Sequence, residues 1–590
     1  MAAIAVFVCA LLCVAYTIYF SFNKGMSRSA RGQQTRRMAV AVVVAGASML
    51  TGLYLTPLII GLIWMGSYPL LYHLTHRKVS PDYENYADIT AGIYLIGLLH
   101  ALTYLAHCWT AGLWIVSLIA CAALVPMVFL WVYYVLYGTV IDANGMQILQ
   151  ETHINEMIEF VRSFAVWKTL LIVMGIVFLV WLTGYPNFAL PALVSPRVVE
   201  GNAATYLPLA AGLYAVAIAW YLFKPHHSLM SRTGLIRLYL DIRDYREGNL
   251  RYKAGMAERL KRLEIRTLAP AYDAPHTVLL VIGESASRDY MSAFTPRVHD
   301  TTPWMRQMAA DTAHTLLFKR AYSCAMHTVQ ALEKALTEAN QYRAQTFVES
   351  CSVVDIAHAM GYRVHWYSNQ GHLGAVDTPV TLVAETSDVA KWTKQDVGRV
   401  QYDETLLDFL DELNPQENNL LVLHLKGSHF NFLNRYPNDT HTVWGKAGVQ
   451  EDVLNYENSL RYTDGVLQKA FAYCTERLNL KWMVYCSDHA TVPARRRSPN
   501  FNGFGDVRIP LFVWMSDEFI AKHATRVAAL RANEARYFTN DLLYELFCGM
   551  MDIASNRFDE KASLASTQYK YTREELFTYE HTRCIADDEP

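Results

Sequence analysis

Net charge is almost absent from this sequence. Across 590 residues, 52 Lys and Arg stand against 54 Asp and Glu, a formal net charge of -2. So even a balance gives bulk-charge binding of nucleic acid no basis, and no nucleic-acid partner is expected. No internal repeat and no low-complexity tract occurs, which excludes an array of stacked repeats. Charge is scarcest before Lys224, where nearly all the long uncharged runs lie, and most of it follows that residue. The N-terminal part therefore reads as membrane-embedded and the rest as a soluble domain.

The apolar runs are Met1–Phe22, Met38–Tyr72, Ile89–Ile141, Thr169–Tyr185 and Tyr206–Phe223. A spanning helix needs about 20 apolar residues. The run Ile89–Ile141 thus holds two helices, with a break expected near His107–Thr110, and Met38–Tyr72 is either one long helix or two broken at Thr56–Pro57. Six or seven spans result. Met1–Phe22 lacks a basic leading region and a small-residue cleavage site, so it reads as a retained first helix. Asn23–Arg37 carries five basic residues and no acid. Placed in the cytoplasm, with one span in Met38–Tyr72, it delivers everything after Phe223 to the extracytoplasmic side. Lys224–Arg266, with eleven basic and five acidic residues, is a competing signal. A large following domain is translocated largely regardless of such charge, and the stretch can instead lie along lipid headgroups. The expected organisation is a multi-span domain over 1–223 with an extracytoplasmic loop at about 142–166, a juxtamembrane linker over 224–275, and a soluble domain over 276–590.

Six cysteines fall outside the apolar runs: Cys324, Cys351, Cys474, Cys486, Cys548 and Cys584. An even number in an exported domain permits disulfides, in any of fifteen pairings. The alternative is a set of buried free thiols.

From His276 onward, strand-like runs alternate with amphipathic stretches. The strands are "HTVLLVIGES" (276–285), "YRVHWYSNQ" (362–370), "NLLVLHLKGSH" (419–429), "KWMVYCSDH" (481–489) and "RIPLFVWMS" (508–516). The helical stretches include Ser352–Met360, Asp403–Leu413 and Tyr456–Thr475. Such alternation predicts an α/β domain, a mostly parallel sheet covered on both faces. Ligands collect beyond the strand C-termini in such sheets. Three of those ends carry metal-ligand types: Glu284, then His424 and His429, then Asp488 and His489. Singly, each has an ordinary explanation as a helix N-terminal acid, a core histidine or a strand-end cap. Together they converge by topology, and mixed oxygen and imidazole donors suit Zn²⁺ better than Mg²⁺ or a thiolate site.

The stretch "RAYSCAMHTVQ" (320–330) looks like a turn entering a helix, where nucleophiles are displayed. A hydroxyl beside a dication can be activated. Cys324 as a zinc ligand would be accompanied by other cysteines. The residues alone leave Ser323 and Thr328 both open.

The chain resembles the phosphoethanolamine transferases of Gram-negative inner membranes, in the alkaline phosphatase/sulfatase superfamily. The likeness rests on "VIGESASRDYMSAF" (281–294), "SCAMHTVQAL" (323–332), "GYRVHWYSNQGHLGAVDT" (361–378), "YDETLL" (402–407), "HLKGSHFNFLNRYP" (424–437), "YENSLRYTDGVL" (456–467), "SDH" (487–489) and "IPLFVWMSDEF" (509–519), in family order. The motifs look most like the branch acting on the lipopolysaccharide core heptose. The resemblance implies that Glu284, Thr328, Asp488 and His489 bind Zn²⁺ and that Thr328 is the nucleophile. It implies that His429 holds substrate phosphate or a second zinc, with His424 a weaker candidate. Cys324 then becomes a disulfide candidate and His327 a neighbour rather than a base. "ILQETHINEMIEF" (148–160) looks like the family's "ETN-x-x-E" segment. Thr152 and Glu156, at i and i+4, would share a helix face and hold the ammonium of a lipid headgroup. The chain departs from the family at "SDHAT", where "SDHG(E)" is usual, and has no further His between Ala490 and Ile509. Ile148 and His153 stand where the family has Asn. These departures bear on a second zinc and on the headgroup contacts, and leave the first metal shell intact.

The implied reaction is a two-step transfer of phosphoethanolamine from phosphatidylethanolamine, through Thr328, to lipopolysaccharide, either lipid A or a core sugar, at the periplasmic face of the inner membrane. A monomer working among membrane lipids is expected. A sulfatase would need Cys/Ser-x-Pro-x-Arg, and "CAMHT" has neither the Pro nor the Arg. The remaining rivals are a phosphoglycerol transferase using the same threonine and a non-catalytic membrane sensor with a decayed site.

Overall fold

The computed structural model describes residues 38–142 in segments, isolated positions between 145 and 181, and 233–589 apart from 269, 371–377, 394–399 and 496–502. The expected first, fifth and sixth apolar spans, with Thr152, His153 and Glu156, lie outside the described residues or mostly so. Chain contacts define two compact units, one reaching Asp244 and one running from Tyr245 to the C-terminus.

In the first unit the helices are α1 (Leu55–His76), α2 (Asp82–His107) and α3 (Thr110–Tyr137). The run Ile89–Ile141 holds two of them, α2 ending at His107 and α3 beginning at Thr110. Met38–Tyr72 is divided as well, but at Leu53 and Tyr54, which lie outside any helix. Pro57 is not the break. It falls in the first turn of α1, where a missing N–H has no helical partner to lose. Among the described residues, α1 and Leu113–Tyr137 of α3 are long and apolar enough to cross a membrane. On α3, Ala120, Leu124, Met127 and Leu130 are buried, while Trp114, Leu118 and Val125 are 71%, 73% and 64% exposed. A helix that is apolar on its exposed side as well as its packed side suits a lipid surround. Gly61 and Gly92 let α1 and α2 approach closely, since a Cβ on either would lie within 2.7 Å of the other's carbonyl oxygen.

The second unit is built on a seven-stranded sheet. In chain order its strands are β1 (Thr277–Gly283), β2 (Thr315–Leu317), β3 (Arg363–Ser368), β4 (Val389–Trp392), β5 (Asn419–His424), β6 (Leu480–Ser487) and β7 (Leu511–Met515), arranged β2-β7-β6-β1-β5-β3-β4. The five strands from β6 to β4 are mutually parallel, and β7 runs antiparallel to both of its neighbours. The sheet is thus mixed at one edge, where the "RIPLFVWMS" strand turns back. β1, β5 and β6 are buried along their whole length, so they are apolar on both faces rather than alternating. Val278, Leu280 and Ile282 join one core with Trp366 and Val484; Leu279 and Val281 join the opposite core with Tyr367 and Met483.

Helices packed around this frame include α4 (Thr328–Ala335), α5 (Val353–Ala359), α6 (Asp452–Arg477) and α7 (Leu543–Met550). A reciprocal capping box of Ser352 and Asp355 starts α5. The expected helix at Asp403–Leu413 is a run of tight 3₁₀ turns over Asp403–Glu412, with Asp403 buried at its start. The cysteines correct the disulfide expectation: Cys324, Cys351, Cys474, Cys486, Cys548 and Cys584 are all free thiols, five of them buried. Cys324 is therefore no disulfide partner. It packs with Ala325 and Ala331 as a small apolar residue.

Burial also sets a pH response. Glu545 on α7 is fully buried, accepts the Asp559 N–H at 2.9 Å and faces Arg343 at 3.2 Å. Burial raises its carboxyl from 4.5 to about 8, with Arg343 only partly offsetting the effect. Between those values the folded chain keeps a proton that the unfolded chain has released. Glu545 therefore contributes full stability below pH about 4.5, and that contribution is lost as pH rises through about 8. Relative to Glu545→Gln, the wild-type unfolding free energy is expected to fall by about 1.4 kcal/mol per pH unit inside this window. Denaturant melts of both proteins at several pH values check this, and parallel pH profiles would contradict it.

Candidate active site

The central strands β6, β1 and β5 end at the same edge of the sheet, and their register brings Gly283 beside Ser487 and Ile282 beside His424. The residue after β1 is Glu284 and the two after β6 are Asp488 and His489. Their ligand atoms all lie within 4.8 Å of one another, and all three side chains are buried. Among the described residues this is the one group of three or more His, Cys, Asp or Glu able to hold a metal ion. Thr328, the first residue of α4, completes it. Its Oγ1 donates to Glu284 Oε2 at 3.0 Å and lies 3.3 Å from His489 Nε2.

Local backbone geometry sets these side chains. Ser285 adopts a left-handed conformation, φ 59°, unusual for a residue with a Cβ and found where surrounding contacts hold it. In that conformation its N–H donates to Asp488 Oδ1 at 3.0 Å, while its hydroxyl donates to Glu284 Oε1 at 2.5 Å. Asp488 Oδ1 also accepts the His489 N–H at 2.6 Å. His489 Nδ1 faces the Ala490 carbonyl at 3.0 Å. A carbonyl can only accept, so Nδ1 carries a proton, and Nε2 lies 3.4 Å from a Glu284 oxygen and 3.2 Å from an Asp488 oxygen.

Two buried carboxylates in one small space conflict electrostatically. Burial by itself would raise the Glu284 carboxyl, but the nearby His489 and His429 and the Ser285 hydroxyl hold it below its usual value. Burial, with the Glu284 charge beside it, pushes Asp488 well up. A dication removes that conflict. With one imidazole nitrogen, carboxylate oxygens and a hydroxyl as donors, Zn²⁺ fits the set.

His429, on the loop after β5, is half-buried and bears electrostatically on Glu284, outside the three-residue metal group. His424 is buried at the end of β5 with Nδ1 3.2 Å from the Ser368 hydroxyl. Burial lowers its pKa to about 4, so the ring is neutral at physiological pH. The other candidates in the turn are spent. Ser323 is fully buried, with its hydroxyl against the Asp488 and Ala325 carbonyls at 2.5 and 2.6 Å. Burial pushes the Cys324 thiol well up, which removes it as a thiolate.

The loop after β5 needs its glycine. Gly427 has φ +50°, and a Cβ there would lie 2.7 Å from the Glu284 carbonyl oxygen. Asp403 anchors the same loop by accepting the N–H groups of Lys426 and Gly427 at 2.7 and 2.9 Å. Gly427→Ala combines a strained φ with a backbone clash, so it is expected to destabilise the domain by about 1–3 kcal/mol and to displace Glu284. A melt and a zinc-content assay check this, and wild-type values in both would contradict it.

Sequence reasoning gave no role to two neighbours. Gln370 Nε2 donates to Glu284 Oε2 at 3.3 Å and to the Leu425 carbonyl at 2.7 Å. It follows β3, so its place at the ligand-bearing edge was visible in the strand pattern. Asn540 contacts the backbone beneath the site, and nothing in "YFTNDLL" marks it.

A family model described as Sulfatase matches residues 276–550. Phosphoethanolamine transferase EptC of Escherichia coli K12 is 24% identical over 476 residues, covering 75% of this chain and 80% of that protein. Phosphoethanolamine transferase CptA of Salmonella typhimurium is 23% identical over 478 residues with the same coverage. The integral membrane protein lipooligosaccharide phosphoethanolamine transferase A of Neisseria meningitidis aligns with a TM-score of 0.53 at 18% identity, covering 88% of this chain and 97% of that one.

Proposed function

From the premise that the chain belongs to the phosphoethanolamine transferases of the alkaline phosphatase/sulfatase superfamily, we propose that it moves phosphoethanolamine from phosphatidylethanolamine to lipopolysaccharide, with Thr328 as the carrier. The observation that carries this reading is the position of the Thr328 hydroxyl, 3.0 Å from Glu284 and 3.3 Å from His489 in the buried metal-ligand group.

In the first half-reaction Thr328 Oγ1 attacks the donor phosphorus, and the bond from phosphorus to the diacylglycerol oxygen breaks. Glu284, held as a carboxylate and already accepting the Thr328 hydroxyl hydrogen bond, takes that proton as Oγ1 bonds to phosphorus and returns it to Oγ1 when Thr328 leaves in the second half-reaction. His429 supplies a proton to the departing diacylglycerol oxygen. In the second half-reaction His429 takes the proton of an acceptor hydroxyl, whose oxygen attacks the same phosphorus and frees Thr328. The N-terminal N–H groups of α4 favour anionic phosphoryl oxygens beside Thr328. Zn²⁺ held by Glu284, Asp488, His489 and Thr328 would lower the hydroxyl pKa and neutralise charge on the phosphoryl oxygens. Thr152 and Glu156 are the proposed ammonium contacts of the donor headgroup. We place the first 223 residues in the inner membrane, with 224–275 as the linker and 276–590 as the catalytic domain on the periplasmic side. A core sugar is the proposed acceptor.

Lipopolysaccharide masses from cells with and without the gene test the function. The gain of one phosphoethanolamine group on core-sugar fragments is expected. A gain confined to lipid A would move the acceptor, and a glycerophosphate gain would replace the donor.

A further inference from the structure

The turn that presents Thr328 and the loop that carries Asp488 and His489 come from distant parts of the chain; Ser323 and Asp488 are 165 positions apart. The distance between them decides whether the hydroxyl and the ligand atoms meet. The turn itself is tied down on all sides. Ser323 N–H donates to the Val507 carbonyl at 2.7 Å, the Ser323 carbonyl accepts from Thr578 Oγ1 at 2.7 Å, and the Cys324 carbonyl accepts from the Glu580 N–H at 3.1 Å.

Asn540, 1% exposed, joins the two segments. Its Oδ1 accepts the Cys324 N–H at 2.9 Å. That contact fixes the amide orientation. Nδ2 then faces the Asp488 carbonyl at 2.6 Å, the Ser487 carbonyl at 3.4 Å and Ser323 Oγ at 3.2 Å. Ser323 also reaches the Asp488 carbonyl, but its single hydroxyl hydrogen can serve only one of the Asp488 and Ala325 carbonyls. The amide of Asn540 therefore guarantees a donor to the Asp488 carbonyl while holding the backbone of the nucleophile turn with its other end.

We propose that Asn540 is a positioning residue for the transfer, its side-chain amide setting the separation between the Thr328 turn and the Asp488–His489 loop. The inference rests on the reading of Thr328 as nucleophile. Asn540 touches no reacting atom and acts through the backbone of residues that do.

Two variants of the full-length enzyme test this. Asn540→Asp keeps the shape and the acceptor for the Cys324 N–H, but sets an oxygen against the Asp488 carbonyl. Asn540→Ala removes both links. The expected result is a fall in kcat of about 10- to 100-fold for both variants, N540D at least as impaired as N540A, with KM for phosphatidylethanolamine in detergent micelles within about threefold of wild type. Zinc affinity, measured by competition with a chromophoric chelator, is expected to fall about tenfold. A space-filling role predicts the opposite order, with the isosteric N540D the milder variant, and that order would overturn the proposal. Wild-type kcat per bound zinc in either variant would overturn it too, and should one fail to accumulate, the other decides. Thr328→Ala is run alongside. Lost transfer there with intact kcat in the Asn540 variants sinks this inference alone, whereas transfer persisting in Thr328→Ala removes the reading beneath it.

Discussion

Thr328→Ala is expected to lower phosphoethanolamine transfer by roughly four orders of magnitude or more, with donor binding little changed. The size follows from the absence of a substitute. Ser323 is buried beneath the site with its hydroxyl engaged by the Asp488 and Ala325 carbonyls. Cys324 is buried, and its raised pKa keeps it a thiol. Thr328→Ser keeps the oxygen next to Glu284 and loses only a methyl group, so it should retain activity within about tenfold of wild type. Turnover of a headgroup-labelled phosphatidylethanolamine by the three proteins is the check. Alanine and serine variants of equal activity would remove Thr328 from the chemistry.

The second large effect concerns the charge that holds the metal. Asp488→Asn preserves an oxygen to accept the N–H groups of Ser285 and His489, now at 3.0 and 2.6 Å, and so leaves the turn in place. It removes one of the two negative charges that make the cluster hospitable to a dication. Purified wild-type protein is expected to carry about one zinc per chain, and D488N less than about a tenth of that, with activity lower by roughly three orders of magnitude. His489→Ala should behave alike, because its Nε2 is the one imidazole donor in the group. Elemental analysis beside turnover decides the matter. A D488N protein with full zinc and full activity would mean that the cluster is a structural ion-pair network.

Much of the site was legible because it lies at strand ends. Glu284, Asp488 and His489 stand directly after two adjacent buried strands, and parallel pairing makes such ends neighbours without any knowledge of loops. The choice of Thr328 over Ser323 was not legible from residue types, since both are hydroxyls on one turn. Burial separates them: Ser323 is fully enclosed, while Thr328 opens the helix beside the carboxylates. The short edge strands Thr315–Leu317 and Val389–Trp392 escaped notice because three or four residues carry too little periodicity. Cys324 misled because parity and compartment permit a disulfide but do not bring a partner near. Asn540 was invisible for a related reason. Its work is done on backbone groups, and backbone partners leave no trace in sequence pattern.

If phosphoethanolamine passes through Thr328, the adduct accumulates when no acceptor is present. Purified enzyme mixed with phosphatidylethanolamine and no acceptor, quenched and digested, gives the peptide Ala321–Lys334 for mass spectrometry. This peptide is expected to gain one phosphoethanolamine group on Thr328 as diacylglycerol is released, and to lose it when acceptor is added. Diacylglycerol release that requires acceptor, with the peptide unmodified throughout, would contradict it.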